Sequence, residues 1–154
     1  MMGGLSLEGF LLTSLVAGIL GAAAMEATMW VVAHFGWGQG NMIVALGSLV
    51  TRTRDRAVGV GVTVHAVAAI LFSAVYVLLF RQVGVSGLPA VFMLGLGIGF
   101  LHGMIVSLLL VWVVAEHHPL AEFRDADLAI GLSHLAGHLA FGGMVGLVAA
   151  LALP

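Results

Sequence analysis

The chain has 154 residues, of which 62% are hydrophobic and only 8% are charged, and its mean hydropathy is +1.20. Because about a quarter of the residues in a typical soluble domain are charged, this composition excludes an ordinary water-exposed surface and indicates that lipid covers most of the protein. Five arginines without lysine give too weak a positive field for nucleic-acid binding, and the lack of cysteine excludes disulfides, thiolate metal sites and thiol nucleophiles.

Four apolar runs are each long enough to cross a bilayer, which takes about 20 helical residues. Backbone groups must be paired internally in lipid, and continuous apolar runs do not fit alternating barrel strands, so we predict helices. Only one charged residue, Glu26, lies within these runs. The sequence therefore predicts one all-α integral membrane domain over residues 1–154, a four-helix bundle. Its spans are residues 10–35, 57–80, 88–115 and 128–151.

The connection between the first two spans contains an additional short helix in this prediction. Gly36, Gly38 and Gly40 end the first span, and residues 41–50 are apolar again. Ten residues are too few to cross a bilayer. We therefore predict a short interfacial or re-entrant helix, followed by the charged stretch 51–56.

The other two connections differ in length and polarity. Residues 81–87 contain two glycines and precede Pro89, which predicts a tight hairpin between the second and third spans. Residues 116–127 are polar and contain Pro119, which ends the third span.

The distribution of arginine predicts the orientation in the cell membrane. With four spans, both termini and Arg81 lie on one side, whereas Arg52, Arg54, Arg56 and Arg124 lie on the other. Cytoplasmic loops carry an excess of Lys and Arg. We therefore predict a multi-pass plasma-membrane protein with a cytoplasmic 52–56 loop and both termini outside.

Five ionisable side chains lie at similar depths within the predicted spans, roughly 9–20 Å from the arginine-rich edge at about 1.5 Å per helical residue. They are Glu26, His65, His102, His134 and His138. Ionisable groups are costly at membrane depth and usually face a bundle interior. Each one also lies on or beside the glycine- and alanine-rich face of its helix, where membrane helices make contact. The sequence thus predicts that all five face one interior site.

A transition metal is the preferred ligand of this predicted site. Imidazole and carboxylate together suit iron, zinc or copper, and His134 and His138 lie on one helix face at the i, i+4 spacing. Glu26 is the one carboxylate at this depth, so the site would be rich in histidine. We predict metal binding through Glu26, His65, His102, His134 and His138, with redox chemistry as one use of the metal.

Other functions fit the same residues. A b-type haem needs two histidines on facing helices at one depth, and either His102 with His138 or His65 with His134 would supply them, although Glu26 would then have no role. A small ion or proton transporter, or an accessory subunit of a membrane complex, would use the histidines as a path. A purely structural alternative is that the histidines are neutral and form hydrogen bonds between helices. The sequence leaves open whether the protein is an enzyme.

A second group of ionisable residues lies near the arginine-rich side. It consists of His34, Glu116, His117 and His118, just before Pro119. The favoured interpretation is a solvated helix end. At most one of the two adjacent histidines would share a site with His34, because neighbouring residues point in different directions on a helix.

A stripe of small residues predicts close helix packing. Gly95, Gly99 and Gly103 repeat every four residues, which permits close helix approach in membranes. The outer faces of the predicted bundle remain apolar. We therefore predict a homo-oligomer or a subunit of a larger membrane complex.

Several short stretches carry a resemblance to known sequences. They are Met25-Glu-Ala-Thr-Met29, Asn41-Met-Ile-Val-Ala-Leu-Gly-Ser48, His65 in the second span, and Ser133-His-Leu-Ala-Gly-His138. With these stretches in this order, the chain resembles small four-span bacterial and archaeal membrane proteins grouped in families of unknown function. The resemblance implies a four-span fold and no particular activity.

Overall fold

A computed structural model describes residues 6–38 and 41–153, and this part of the chain is helical with no strand. Four of the helices are long and apolar enough to cross a membrane. The all-α prediction and the short helix between the first two spans are confirmed. The helices are α1 (Leu7–His34), α2 (Met42–Thr51), α3 (Ala57–Val83), α4 (Leu88–Leu109) and α5 (Leu128–Ala152). A π-helix, Leu110–Val114, continues α4, and a 3-10 turn, Ala121–Phe123, precedes α5.

The ends of the helices follow from local sequence. The Asp127 side chain accepts a hydrogen bond from the backbone N–H of Ile130 at 2.9 Å and so caps the start of α5. Gly84 ends α3 with a positive φ of 70°, which glycine adopts at little cost. Gly36 follows α1 with φ 73°, as the predicted break requires, whereas Gly40 lies outside the described residues.

The four long helices pack in the order α4, α5, α1, α3, and α2 packs on α3. The most extensive interface lies between α4 and α5, followed by those that α1 makes with α5 and with α3. In contrast, α3 and α4 touch at few points. We call the boundary between α3 and α4 the seam.

The glycine stripe of α4 packs against α5 within the same chain. A Cβ atom at Gly95 would overlap the carbonyl oxygen of Gly142, and one at Gly99 would come within 2.6 Å of the carbonyl oxygen of His138. Gly103 is also buried, with the Cβ of His138 2.8 Å from where its own Cβ would be. The stripe is therefore occupied by α5 and is not available to a partner chain.

Helix α2 lies antiparallel to the beginning of α3. A Cβ at Gly47 would overlap the carbonyl of Ala57, and a Cβ at Gly61 would overlap the carbonyl of Ile43. Gly47, late in α2, meets the first residue of α3, and Ile43, early in α2, meets a later residue of α3, as expected for antiparallel helices. Only glycine permits so close an approach, which holds α2 along the first turns of α3.

The two ends of the bundle differ in packing. Near the 84–87 turn, the side chains of Val77, Phe80, Val91 and Val145 are completely buried against one another. Towards the arginine-rich loops, a cavity lies between residues of α2, α3, α4 and α5. The interior is thus closed at one end and hollow at the other.

Candidate functional site

Glu26 on α1 and His65 on α3 form the first pair of the predicted site. Glu26 Oε1 lies 3.6 Å from His65 Nε2, which is longer than a hydrogen bond, and both atoms are buried without a hydrogen-bond partner. The Glu26 side chain is still 38% exposed, because the buried stripe of α1 passes through Met25 and Met29. Glu26 thus lies on the flank of α1 that faces α3, with Oε1 buried at His65 and the rest of the side chain partly exposed.

His102 on α4 and His138 on α5 form the second pair. Their rings meet edge to face with centroids 4.6 Å apart. On the other side of His102, the Tyr76 hydroxyl lies 3.1 Å from Nδ1, and the Phe72 ring packs at 4.3 Å. These three contacts form part of the seam and of the α4–α5 interface.

Tyr76 and Phe72 were not predicted as site residues. Tyr76 is the only tyrosine of the chain, and it follows His65 by about three helical turns on the same face of α3. That spacing is the signal in the sequence that could have found it. Phe72 has no comparable signal, because phenylalanine is an ordinary residue in an apolar helix.

Two histidines of α5 share one hydrogen-bonding pattern. His134 Nδ1 donates to the carbonyl of Ile130 at 2.9 Å, and His138 Nδ1 donates to the carbonyl of His134 at 2.8 Å. A carbonyl can only accept, so each Nδ1 carries hydrogen, and the neutral ring then keeps a free lone pair on Nε2. His134 Nε2 is buried and has no hydrogen-bond partner. Both side chains are more than nine-tenths buried.

The structure brings four of the five predicted residues into two side-chain pairs, with His134 next to the second pair on α5. Glu26 meets His65, His102 meets His138, and His134 lies one turn from His138. Within residues 6–38 and 41–153, no three His, Asp or Glu side chains stand close enough to hold one metal ion. The described side chains therefore do not form an assembled metal-ligand set.

The spacing of His102 and His138 also bears on the haem alternative. A haem iron bound by two imidazoles at about 2 Å each would hold the ring centroids roughly 6 Å apart. The observed 4.6 Å places the rings in direct contact. A porphyrin could enter between this pair only after the two helices or rings had separated.

A cavity of about 350 Å³ extends from the histidines towards the arginine-rich loops. Its inner end is lined by His65, His102, His134 and His138, whereas Glu122 and Asp125 line its other end. Met25, and not Glu26, lines the cavity from α1. Most of the wall is apolar, with side chains that include Leu46, Leu49, Phe72, Val106, Leu110 and Val114.

The π-helix that continues α4 forms part of this wall. Leu110 and Val114 lie at its two ends, and both line the cavity. A π-helical turn shifts the helix face and is frequent at functional sites. No sequence pattern indicates this π-helix, because the apolar run continues unchanged through residues 110–114.

The second predicted group divides into exposed and buried members. His34, Glu116 and His117 are exposed, as expected for a solvated helix end. His118 is only 2% exposed: its Nε2 donates to the carbonyl of Ala45 on α2 at 3.1 Å. The solvated interpretation is wrong for His118, because α2 folds over it and gives its imidazole a structural partner.

No protein-family model, curated protein or solved structure matches this chain. The resemblance to four-span membrane proteins therefore remains an expectation. The case for a function rests on the histidines, the carboxylate and the cavity.

Proposed function

We propose that this chain is an integral membrane four-helix bundle that binds a transition metal ion in its interior through imidazole and carboxylate groups. The bundle part of the proposal is supported by the outer surface. Large apolar side chains on different helices are extensively exposed, among them Leu11, Leu71 and Leu101 at 58%, 63% and 62%. Soluble monomers rarely expose apolar surface so continuously, whereas a bilayer would cover it.

Three tryptophan side chains also support the membrane part of the proposal. Trp30, Trp37 and Trp112 are all highly exposed and lie on the half of the bundle that carries the arginine-rich loops. Tryptophan is enriched at the membrane–water interface, because its ring is apolar and its N–H is polar. We infer that these side chains mark the level at which the bundle leaves the hydrocarbon.

One observation carries the metal proposal: the free Nε2 lone pairs of His134 and His138. Histidines that bind a metal commonly donate their other ring N–H to a carbonyl or carboxylate, which fixes the tautomer and aims the lone pair at the ion. Both histidines make that hydrogen bond to the preceding helical turn. An unpaired acceptor as deeply buried as His134 Nε2 is costly, and a cation would satisfy it.

Glu26 and His65 supply the remaining donors in this proposal. Their facing atoms are also buried without partners, and an ionised carboxylate at this depth is costly unless it is paired with a cation. Binding needs side-chain rotation to bring this pair to the α5 histidines. Iron, zinc and copper all accept such a mixed nitrogen and oxygen donor set.

Elemental analysis with an optical spectrum tests the function directly. Protein extracted gently from its native membrane should carry about one transition metal per chain and show no Soret band. A stoichiometric Soret band would instead support haem. A chain with neither would favour the ion or proton path, which the cavity supports because it joins the acidic side chains of Glu122 and Asp125 to the histidines.

The proposed topology predicts a sidedness of labelling. Arg54 and Glu122 form an ion pair at 3.1 Å, so the loops at residues 52–56 and 116–127 lie at one end of the bundle. With the arginine-rich end cytoplasmic, an impermeant thiol reagent added outside cells should modify cysteine at Ser86 and not at Asp55. Both positions are exposed, which matches the two variants in accessibility. The reverse labelling pattern would contradict this orientation.

We also propose that the protein is a homo-oligomer or a subunit of a larger membrane complex. The glycine stripe of α4 is covered by α5, so association would use the outer apolar faces. Mass measurement in lipid nanodiscs or by native mass spectrometry should show more than one chain per particle. A monomer mass that persists in lipid would count against the proposal.

A further inference from the structure

The cavity is larger and more apolar than a metal ion requires. A volume of about 350 Å³ is within the range of small-molecule pockets, roughly 300–1,000 Å³, which are mostly apolar with a few convergent polar groups. The polar groups at the inner end are four imidazoles, and the wall between them and the loops is formed by aliphatic and aromatic side chains. The proposed metal site uses only the inner end.

The position of the cavity indicates how a ligand would enter. The cavity lies along the seam, where α3 and α4 have few contacts. Phe72 lines the cavity and is also 44% exposed on the outer surface. If the bundle is in a bilayer, this side chain separates the cavity from the lipid. A ligand dissolved in the lipid would reach the cavity along the seam, past Phe72.

The inner end selects the polar group of the ligand. His138 lines the cavity and donates its Nδ1 hydrogen to the carbonyl of His134, so its Nε2 presents a lone pair that pairs with a hydrogen-bond donor and not with a carbonyl or an ether oxygen. An anionic head group is disfavoured, because the inner end offers imidazole lone pairs and the other end is lined by the acidic side chains of Glu122 and Asp125. A hydroxyl suits both states of the site: its hydrogen can donate to the imidazole, and its oxygen can face a bound cation.

We propose that this cavity binds a neutral, lipid-soluble molecule with a hydroxyl group, a phenol or an alcohol with an apolar body. The hydroxyl would lie at His138, and the apolar body would lie among Leu46, Phe72 and Val106. This site goes beyond the proposed metal binding. It shares His138 with the metal site but does not require a metal.

A matched pair of ligands tests the proposal in the full chain. A fluorinated hexylphenol and its methyl ether are titrated into chelator-treated protein in nanodiscs, and bound ligand is followed by fluorine NMR. The phenol should bind roughly fivefold more tightly than the ether, since one hydrogen bond is worth about 1 kcal/mol and about 1.4 kcal/mol corresponds to tenfold. In His138→Phe the two ligands should bind alike.

Substitutions at two neighbouring positions on α3 distinguish binding of the ligand in the cavity from its partition into lipid. Ala68 lines the cavity, whereas Val67 is 52% exposed on the outer surface. Ala68→Phe should abolish binding of both ligands, and Val67→Phe should leave it unchanged. Circular dichroism of the two variants checks that both retain the helical fold.

Three outcomes would overturn the proposal: equal binding to Ala68→Phe and Val67→Phe, equal affinity of phenol and ether for the unmodified protein, or no bound signal. Metal content is measured before the chelator treatment. A protein that lacks metal and binds the phenol would overturn the proposed function alone. A protein that carries metal and ignores the phenol would overturn this inference alone.

Discussion

Gly95→Leu should destabilise the bundle by about 3 kcal/mol, the upper part of the usual range for overpacking. A side chain at this position would overlap the Gly142 carbonyl and come within 3.0 Å of the Gly146 Cα, so the backbones of α4 and α5 would have to separate. Backbone atoms cannot rotate away as a flexible side chain can. Reversible unfolding in mixed micelles, followed by circular dichroism, measures the change.

Gly97→Leu is the matched control for this prediction. Gly97 is on the same helix, is exposed, and has no atom within 4 Å of the position of its Cβ. Leucine also forms helices better than glycine, so this variant should be as stable as the original protein or slightly more stable. Equal destabilisation by both substitutions would show that α4 and α5 do not pack through the glycine stripe.

His134→Ala should lower the metal content of the purified protein by at least about tenfold. Removal of a residue that only hydrogen-bonds to a metal ligand typically lowers metal affinity by about that factor, and we propose that His134 binds the metal itself. The substitution removes the buried imidazole whose Nε2 has no partner in the described structure. Glu26→Gln should also lower the content, because it keeps the shape of the side chain and removes its charge. Metal per chain by elemental analysis, together with the melting temperature, measures both effects.

His117→Ala is the control for the metal variants. His117 is exposed at the end of the π-helix, and its Nδ1 donates to the carbonyl of Val113 at 2.9 Å. Its removal should leave metal content unchanged. If all three variants carry the same amount of metal, or if the unmodified protein carries none, the histidines are packed, hydrogen-bonded groups and the metal proposal fails.

The four long helices could be predicted from the sequence because each apolar run is too long for a β-strand and long enough to cross a bilayer as a helix. The short helix α2 was predictable for a different reason, since residues 41–50 form a separate apolar run between polar or glycine-rich stretches. The π-helix at residues 110–114 could not be predicted. Its departure from α-helical geometry changes no residue type in the run and depends on tertiary packing.

The sequence predicts similar depths for the five ionisable residues, but not which of them are in contact. Contacts between helices bring Glu26 to His65 and His102 to His138. Gly18 and Glu26 share a face of α1 by spacing, and Gly18 packs against α3, whereas Met25 and Met29 form the adjacent face that is buried against α5. Which of two adjacent faces is buried depends on the neighbouring helix, and helical periodicity alone does not identify that neighbour.

The burial of His118, in a loop, also could not be predicted from the local sequence. Its sequence context, Glu116-His-His-Pro119, is typical of a solvated helix end. Its burial depends on the carbonyl of Ala45, more than seventy residues away in the chain. No local pattern contains that information.

The packing of α1 has a consequence for the order in which the protein assembles during synthesis. Helices α2 and α3 are neighbours in the chain, as are α4 and α5, and each pair can associate as soon as its second helix has been made. The larger of the two interfaces of α1 is with α5, which is synthesised last. Of the two interfaces of α1, only the one with α3 can form before α5 has been made, so the slow step of folding should be the closure of α1 on α5.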